Sequence, residues 1–173
     1  MTKTKLFWCI LACCIGIYTS CAGAPEALEV PSEGHHKVMF LAYARGTPVE
    51  NNKKSIAGHA SIAIEGSGIW GFYPTTPGMP ITKRGVLQHN TVYPIIHEYA
   101  EFFVDEDRLN KIKELIAKWE NNPPPFVVPF SDCVTFINRV CDIIGLKYNH
   151  LAVMPTTAVR RIRLLNARPR GIE

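Results

Sequence analysis

Cys133 and His59 are the residues whose types and surroundings best suit covalent chemistry in this chain. A thiol at neutral pH needs a base or an imidazolium beside it to react quickly, so a cysteine nucleophile requires a histidine partner. Cys133 lies in the stretch PFSDCVTFINRVCDIIGL, and His59 lies in AGHASIAIEGSG. The chemistry open to such a pair is attack of a thiolate on an amide or ester carbonyl, with an acyl-enzyme intermediate and no metal or organic cofactor.

The two cysteines of that first stretch have different expected roles. Cys133 and Cys141 are eight residues apart in one predicted helix, a separation of about 12 Å, whereas a disulfide needs α-carbons within about 7 Å. Cys141 falls within the apolar stripe, which predicts a buried hydrophobic side chain. Cys133 is in the first turn after a predicted N-cap at Ser131, where the helix dipole favours a thiolate. The stripe comprises Phe136, Ile137, Val140, Cys141 and Ile144, and it ends at Gly145.

His59 is the best base among the six histidines. It begins an alternating strand pattern, and Gly58 before it lets another segment approach closely. The small residues Ser61 and Ala63 share its predicted face and leave room for a helix terminus to pack there. The remaining histidines are His35 and His36 at the junction with the tether, His89 in a polar turn as a reserve candidate, His97 on a solvent-facing strand, and His150 in a turn.

The N-terminal sequence predicts export. Lys3 and Lys5 precede an apolar run from Leu6 to Tyr18, which is too short for a spanning helix of about 20 residues and typical of a signal peptide over residues 1–20. The segment TSCAG resembles a lipobox, in which Cys21 becomes the lipid-bearing first residue; cleavage of an ordinary signal near residue 24 is the alternative. Cys9, Cys13 and Cys14 would leave with the signal.

Charge and composition favour a single exported domain. Removing residues 1–20 takes away two lysines and no acid, so the formal charge falls from +4 to +2. Residues 21–34 contain two prolines and three glutamates and read as a tether, which leaves 35–173 as one domain. No basic run is interleaved with aromatic residues, so nucleic acid is not an expected partner. The sequence leaves the oligomeric state open.

The remaining patterns predict a small α+β domain with an antiparallel sheet packed against helices. KVMFLAYA suits a central strand, and HEYAEFFV is a later strand with one more polar face. Residues 105–120 form an amphipathic helix with an acidic first turn, ended by NNPPP. The tail PTTAVRRIRLLNARPRG predicts a basic amphipathic helix. Its arginines (Arg160, Arg161 and Arg163) form either a solvated face or a contact with anionic lipid or cell-wall carboxylates.

Three short motifs together carry a family resemblance. GHA on a strand, a second strand into GFYP, and DCVTFINRV opening a helix resemble the circularly permuted branch of the NlpC-type papain-like cysteine hydrolases. Lecithin:retinol acyltransferase-like proteins share this order of histidine before cysteine. The likeness runs from about Val38 to Arg163 and implies a papain-like fold, with His59 as the base and Cys133 as the nucleophile. Asp132 departs from the asparagine that relatives often have there.

The resemblance also implies a third polar residue that orients the histidine, and the sequence does not assign it. Glu65 is six residues along an extended strand from His59, about 20 Å away and too far to touch the imidazole. Tyr73, His89 and Asn90 remain as candidates.

The expected function is that of an envelope lipoprotein that hydrolyses an amide or peptide bond, with peptidoglycan as the substrate implied by the family and a mild preference for the outer membrane. A lipid ester hydrolase or acyltransferase of the same fold is one alternative. A binding or scaffolding lipoprotein without turnover is the other, and the unassigned third residue favours it.

Overall fold

The computed structural model describes residues 36–47, 56–90 and 95–167, so the predicted signal peptide, Cys21 and the tether over 21–34 lie outside the described residues. Within these ranges the fold is a five-stranded antiparallel sheet, a two-stranded sheet and three helices, which confirms the α+β class. The elements are β1 (His36–Tyr43), β2 (His59–Ile64), β3 (Gly68–Pro74), β4 (Ile81–Thr82), β5 (Gly85–Asn90), β6 (Glu98–Val104), α1 (Glu106–Asn121), β7 (Phe126–Val127), α2 (Cys133–Ile144) and α3 (Pro155–Leu165).

The large sheet has the strand order β5-β3-β2-β1-β6, so β1 is an interior strand as predicted. Its register places Tyr43 opposite His59 and Ser61 opposite Gly71. His36 is the first residue of β1 and forms an ion pair with Glu106 at 2.6 Å, so it is part of the sheet and not of the tether.

The helices pack on one face of the large sheet, here called the helix face. Alternate side chains of each strand point to opposite faces, and those on the helix face join the core with residues of all three helices. A smaller buried cluster of Leu41, Ala63 and Ile69 lies on the opposite face. None of the helices in the described ranges is long and apolar enough to cross a membrane. The strand residues on the helix face are Val38, Phe40, Ala42, Ala60, Ile62, Ile64, Phe72, Leu87, Ala100, Phe102 and Val104.

Helix α2 begins one residue later than the sequence predicted. Its N-cap is Asp132, whose side chain accepts a hydrogen bond from the backbone N–H of Thr135 at 2.9 Å. Ser131 cannot cap the helix because its backbone pairs with Val127 and its hydroxyl donates to the Pro125 carbonyl at 2.6 Å. The predicted apolar stripe is confirmed, and Gly145 ends the helix in the left-handed conformation.

Helices α1 and α3 also follow their predicted patterns. Asp105 caps α1, and the buried face of this helix consists of Leu109, Ile112, Ile116 and Trp119. Helix α3 is amphipathic, but two of its arginines are not simply solvated. Arg160 and Arg163 contact opposite oxygens of Glu98, at 2.6 Å and 3.0 Å, and the Glu98 side chain is only 10% exposed. These two arginines therefore tie α3 to the edge strand β6.

Candidate active site

Cys133 is the first residue of α2, and its side chain contacts the start of β2. The residue is only 8% exposed, and its thiol accepts a hydrogen bond from the backbone N–H of Ala60. Ala60 directly follows His59 in the chain, so the peptide group that links His59 to Ala60 lies against the Cys133 sulfur. The structure therefore brings Cys133 beside the backbone of His59. Cys141 is completely buried and unpaired, as predicted for a core residue.

The His59 imidazole is buried within a layer of aromatic rings. It is 6% exposed and stacks face to face on Tyr73, with ring centroids 3.9 Å apart and an interplanar angle of 14°. The Tyr43 ring is tilted against it, with ring centroids 5.6 Å apart. These three side chains come from adjacent strands and, by the alternation of strand residues, lie on the face of the sheet away from the helices.

The Nε2 atom of His59 is buried and has no hydrogen-bond partner among the described residues. It points at Gly71, because a β-carbon built on Gly71 would lie 2.4 Å from Nε2. A buried polar atom without a partner is uncommon, since its desolvation costs about 1–3 kcal/mol. This ring nitrogen is therefore available to accept a proton or to bind a group that enters the site.

Tyr43 links the aromatic layer to the cysteine. Its hydroxyl donates a hydrogen bond to Tyr73, and burial, followed by the neighbouring Tyr73 and then Cys133, raises the pKa of Tyr43 far above its ordinary value. Tyr43 therefore stays a neutral donor. The sequence analysis named Gly71 only as the first residue of the GFYP motif and gave Tyr43 no role. Strand alternation could have placed both residues on the same face as His59.

Burial keeps both candidate catalytic groups neutral. Burial, and secondly the negative charge of Asp132, raise the pKa of the Cys133 thiol to about 12, although the backbone N–H of Ala60 acts in the opposite direction. Burial lowers the pKa of His59 to about 3. The expectation that the helix terminus would favour a thiolate is therefore wrong for this arrangement, because desolvation of the sulfur outweighs the dipole.

Of the three candidates for the orienting residue, Tyr73 contacts His59. His89 lies in β5 and not in a turn, and it packs on Trp70 with its Nε2 3.1 Å from the Ser67 carbonyl oxygen. Trp70 packs against the core on the helix face, so His89 is on the other side of the sheet from the His59 ring. Asn90 pairs with Ile69, at the opposite end of β3 from Tyr73.

The two remaining histidines of the described residues, His97 and His150, make contacts of a structural kind. The Nδ1 atom of His97 accepts a hydrogen bond from the backbone N–H of Ala44 at 3.2 Å, and His150 packs near Tyr148. No group of three or more histidine, cysteine or acidic side chains in the described part of the chain could hold a metal ion.

The fold and site define an α+β domain with a buried cysteine at a helix N-terminus and a buried histidine in the adjoining strand. Comparison with protein-family models, curated proteins and solved structures finds no match to this chain.

Proposed function

We propose that this chain is a cysteine hydrolase of the permuted papain-like kind, with Cys133 as the nucleophile and His59 as the base. The observation that carries the proposal is the hydrogen bond from the Ala60 backbone N–H to the Cys133 thiol, because it fixes the sulfur one peptide group from a buried histidine. The arrangement needs no metal or organic cofactor, since the attacking atom and the base are both side chains of the protein.

The reaction starts from a neutral thiol and a neutral imidazole. In the arrangement described, the His59 ring lies on the face of the sheet away from the helices and neither group shifts the pKa of the other, so a movement of the site must first bring the imidazole to the sulfur. His59 then accepts the Cys133 proton while the sulfur attacks the carbonyl carbon, and it acts as a general base and not as half of a stable ion pair. The backbone N–H groups at the start of α2 donate to the oxyanion that forms. The imidazolium then returns the proton to the leaving amine, which leaves a thioester on Cys133. Water activated by His59 hydrolyses that thioester and regenerates the thiol.

Tyr73 is the residue that we assign to orienting the imidazole. It does so by stacking on the ring at 3.9 Å, where a carboxylate or amide would instead have bonded to one ring nitrogen. The hydrogen bond from Tyr43 fixes the phenol of Tyr73 in turn. The unassigned third member of the resemblance is thus replaced by a ring contact.

Substrate access requires a movement of the residues around the site. Cys133 and His59 are 8% and 6% exposed, so a polymeric substrate cannot reach the sulfur in the arrangement described. Opening would also lower the desolvation that holds the two groups neutral, because water would solvate the charged forms. Binding and activation are therefore coupled in this proposal.

The proposed substrate is an amide or peptide bond of peptidoglycan, reached from the membrane through the predicted lipid anchor on Cys21. The test is incubation of the full chain with purified sacculi, followed by chromatography of the soluble fragments. Wild type and Cys141→Ser are expected to release the same fragments, and Cys133→Ser and His59→Ala to release none. Equal release by the Cys133→Ser chain would overturn the proposal.

A lipid ester is the second candidate substrate, and one observation favours it. Val128 and Phe130, in the turn that leads into Cys133, are 45% and 80% exposed, which gives the approach to the site an apolar surface. Release of fatty acid from phospholipid vesicles, with no release from sacculi, would select this candidate. If neither substrate is cleaved and the chain still binds sacculi, the remaining reading is a binding lipoprotein without turnover.

A further inference from the structure

An exposed apolar surface surrounds the small two-stranded sheet. Four large apolar side chains there are 45–80% exposed. Backbone contacts make them one surface: Ile81 pairs with Val127, and the Val128 N–H donates to the Pro80 carbonyl at 3.0 Å. Phe130 is at the tip of the tight turn after β7. The four residues, named here the β4–β7 patch, are Met79, Ile81, Val128 and Phe130.

The patch extends beyond β4 and β7 to a third chain segment, which contains Ile56. A β-carbon on Gly78 would lie 3.0 Å from the Cδ1 atom of Ile56, which is itself 66% exposed. Scattered single apolar residues are ordinary on protein surfaces, but a contiguous apolar group from three chain segments marks an interaction site.

The chain segments that build the patch carry charges of a single sign. Residues 66–97 contain no aspartate or glutamate, and neither do residues 121–131. Lys83 and Arg84, both exposed, follow β4 directly. The patch is thus apolar with cations at its rim and no carboxylate in the segments that build it.

We propose that the β4–β7 patch binds the surface of an anionic lipid membrane. Apolar side chains that enter the boundary between headgroups and acyl chains, together with lysine or arginine that contacts anionic headgroups, are the two elements of interfacial binding. A second copy of the chain is a poorer occupant, because a symmetric contact would bring Lys83 and Arg84 near their own equivalents with no acid to offset them.

Membrane binding here would place the candidate site at the lipid surface. Phe130 precedes Cys133 by three residues, so the N-terminus of α2 lies within about 11 Å of the Phe130 end of the patch. Membrane binding by the patch is independent of catalysis, because the patch is defined by exposure and charge alone.

The test is site-specific photocrosslinking of the full chain in vesicles, because its readout is independent of any N-terminal anchor. A benzophenone amino acid replaces Phe130 in one sample and Leu151 in the control. Leu151 is a matched control: it is 86% exposed against 80% for Phe130, and it lies beyond the C-terminal end of α2. The twelve residues of α2 separate the two positions, a helix length of about 18 Å.

In vesicles of phosphatidylglycerol and phosphatidylcholine, position 130 is expected to crosslink to acyl chains and position 151 is not. Lys83→Gln with Arg84→Gln is expected to weaken docking roughly thirtyfold, since each cation near an anionic surface contributes about fivefold. Pure phosphatidylcholine should give the same loss. Absent or equal lipid crosslinking at the two positions, crosslinking of position 130 to a second copy of the chain, or no effect of the double variant would each overturn the proposal.

Discussion

Gly71 lies directly against His59, and a β-carbon at position 71 would be 2.4 Å from the His59 Nε2 atom. The same β-carbon would be 2.8 Å from the Tyr73 ring, so both rings of the stack would have to move. We predict that Gly71→Ala lowers the free energy of unfolding by about 1–3 kcal/mol, the usual range for overpacking a buried site. Chemical denaturation of the variant and the wild type measures the difference.

The control for this prediction is the double variant Gly71→Ala with His59→Ala. Removing the imidazole removes the closest of the clashing atoms, so the two substitutions should be coupled, and the double variant should lose less stability than the sum of the single variants. Strict additivity would show that the two side chains do not meet as described.

Acid should destabilise the fold through His59. Burial lowers the pKa of His59 from 6.5 to about 3, so between these pH values the unfolded chain binds a proton that the folded chain does not. The free energy of unfolding should therefore fall as the pH drops below 6.5, with a slope approaching about 1.4 kcal/mol per pH unit from this group. Denaturation measured at several pH values should show that His59→Gln removes this contribution, whereas substitution of the exposed His150 leaves it unchanged.

Asp132 should suppress the reactivity of the neighbouring thiol. Its negative charge is the second cause, after burial, of the raised pKa of Cys133. Asp132→Asn keeps an oxygen that can cap α2 and removes the charge, so the pKa should fall and stability should change by only a few tenths of a kcal/mol. Each unit of decrease raises the thiolate fraction about tenfold. The measurement is the rate of Cys133 alkylation against pH.

The matched control is Asp142→Asn, because the charge of Asp142 acts on Cys141 in the same way. It should leave the alkylation of Cys133 unchanged. If Asp132→Asn slows the alkylation of Cys133 or leaves it unaffected, the electrostatic description of the site is wrong.

Glu98 should be important for stability although it lies on an edge strand. Its carboxylate is mostly buried and binds Arg160 through two donors and Arg163 through one. Because both arginines are half exposed, we predict that Glu98→Ala lowers the free energy of unfolding by about 1–3 kcal/mol. Removing one partner of a fully buried ion pair would lower it more. Asp107→Ala, which breaks the exposed pair with Lys111, should give no measurable change in the same denaturation experiment.

The helices and four strands of the large sheet followed from local patterns, whereas the region of β5 around His89 was wrongly predicted to be a polar turn. The spacing of apolar residues in α1 and α2 correctly gave their buried faces, and the continuous apolar run of β1 correctly gave an interior strand. Periodicity was sufficient for α1 and α2 because each helix buries one continuous face, and the unbroken apolar run was sufficient for β1 because that strand is buried on both faces. The short strands β4 and β7 were missed, because two residues are too few to show a period.

The site was harder to predict because it depends on long-range register. Cys133 and the start of β2 meet only once α2 packs on the sheet, and no local pattern specifies that the thiol binds the Ala60 amide. The state of the thiol was mispredicted for a related reason. A helix terminus can be recognised from sequence, whereas the depth of burial that raises the pKa of Cys133 depends on tertiary packing.

Detection of a thioester on Cys133 is the most direct test of its role as the nucleophile. The full chain is incubated with peptidoglycan fragments and quenched in acid, and the peptides that contain Cys133 and Cys141 are analysed by mass spectrometry. We expect an acyl adduct on Cys133 that hydroxylamine removes, no adduct on Cys141, and loss of the adduct in His59→Ala. Cleavage of the fragments at an undiminished rate by the Cys133→Ala chain would contradict that role.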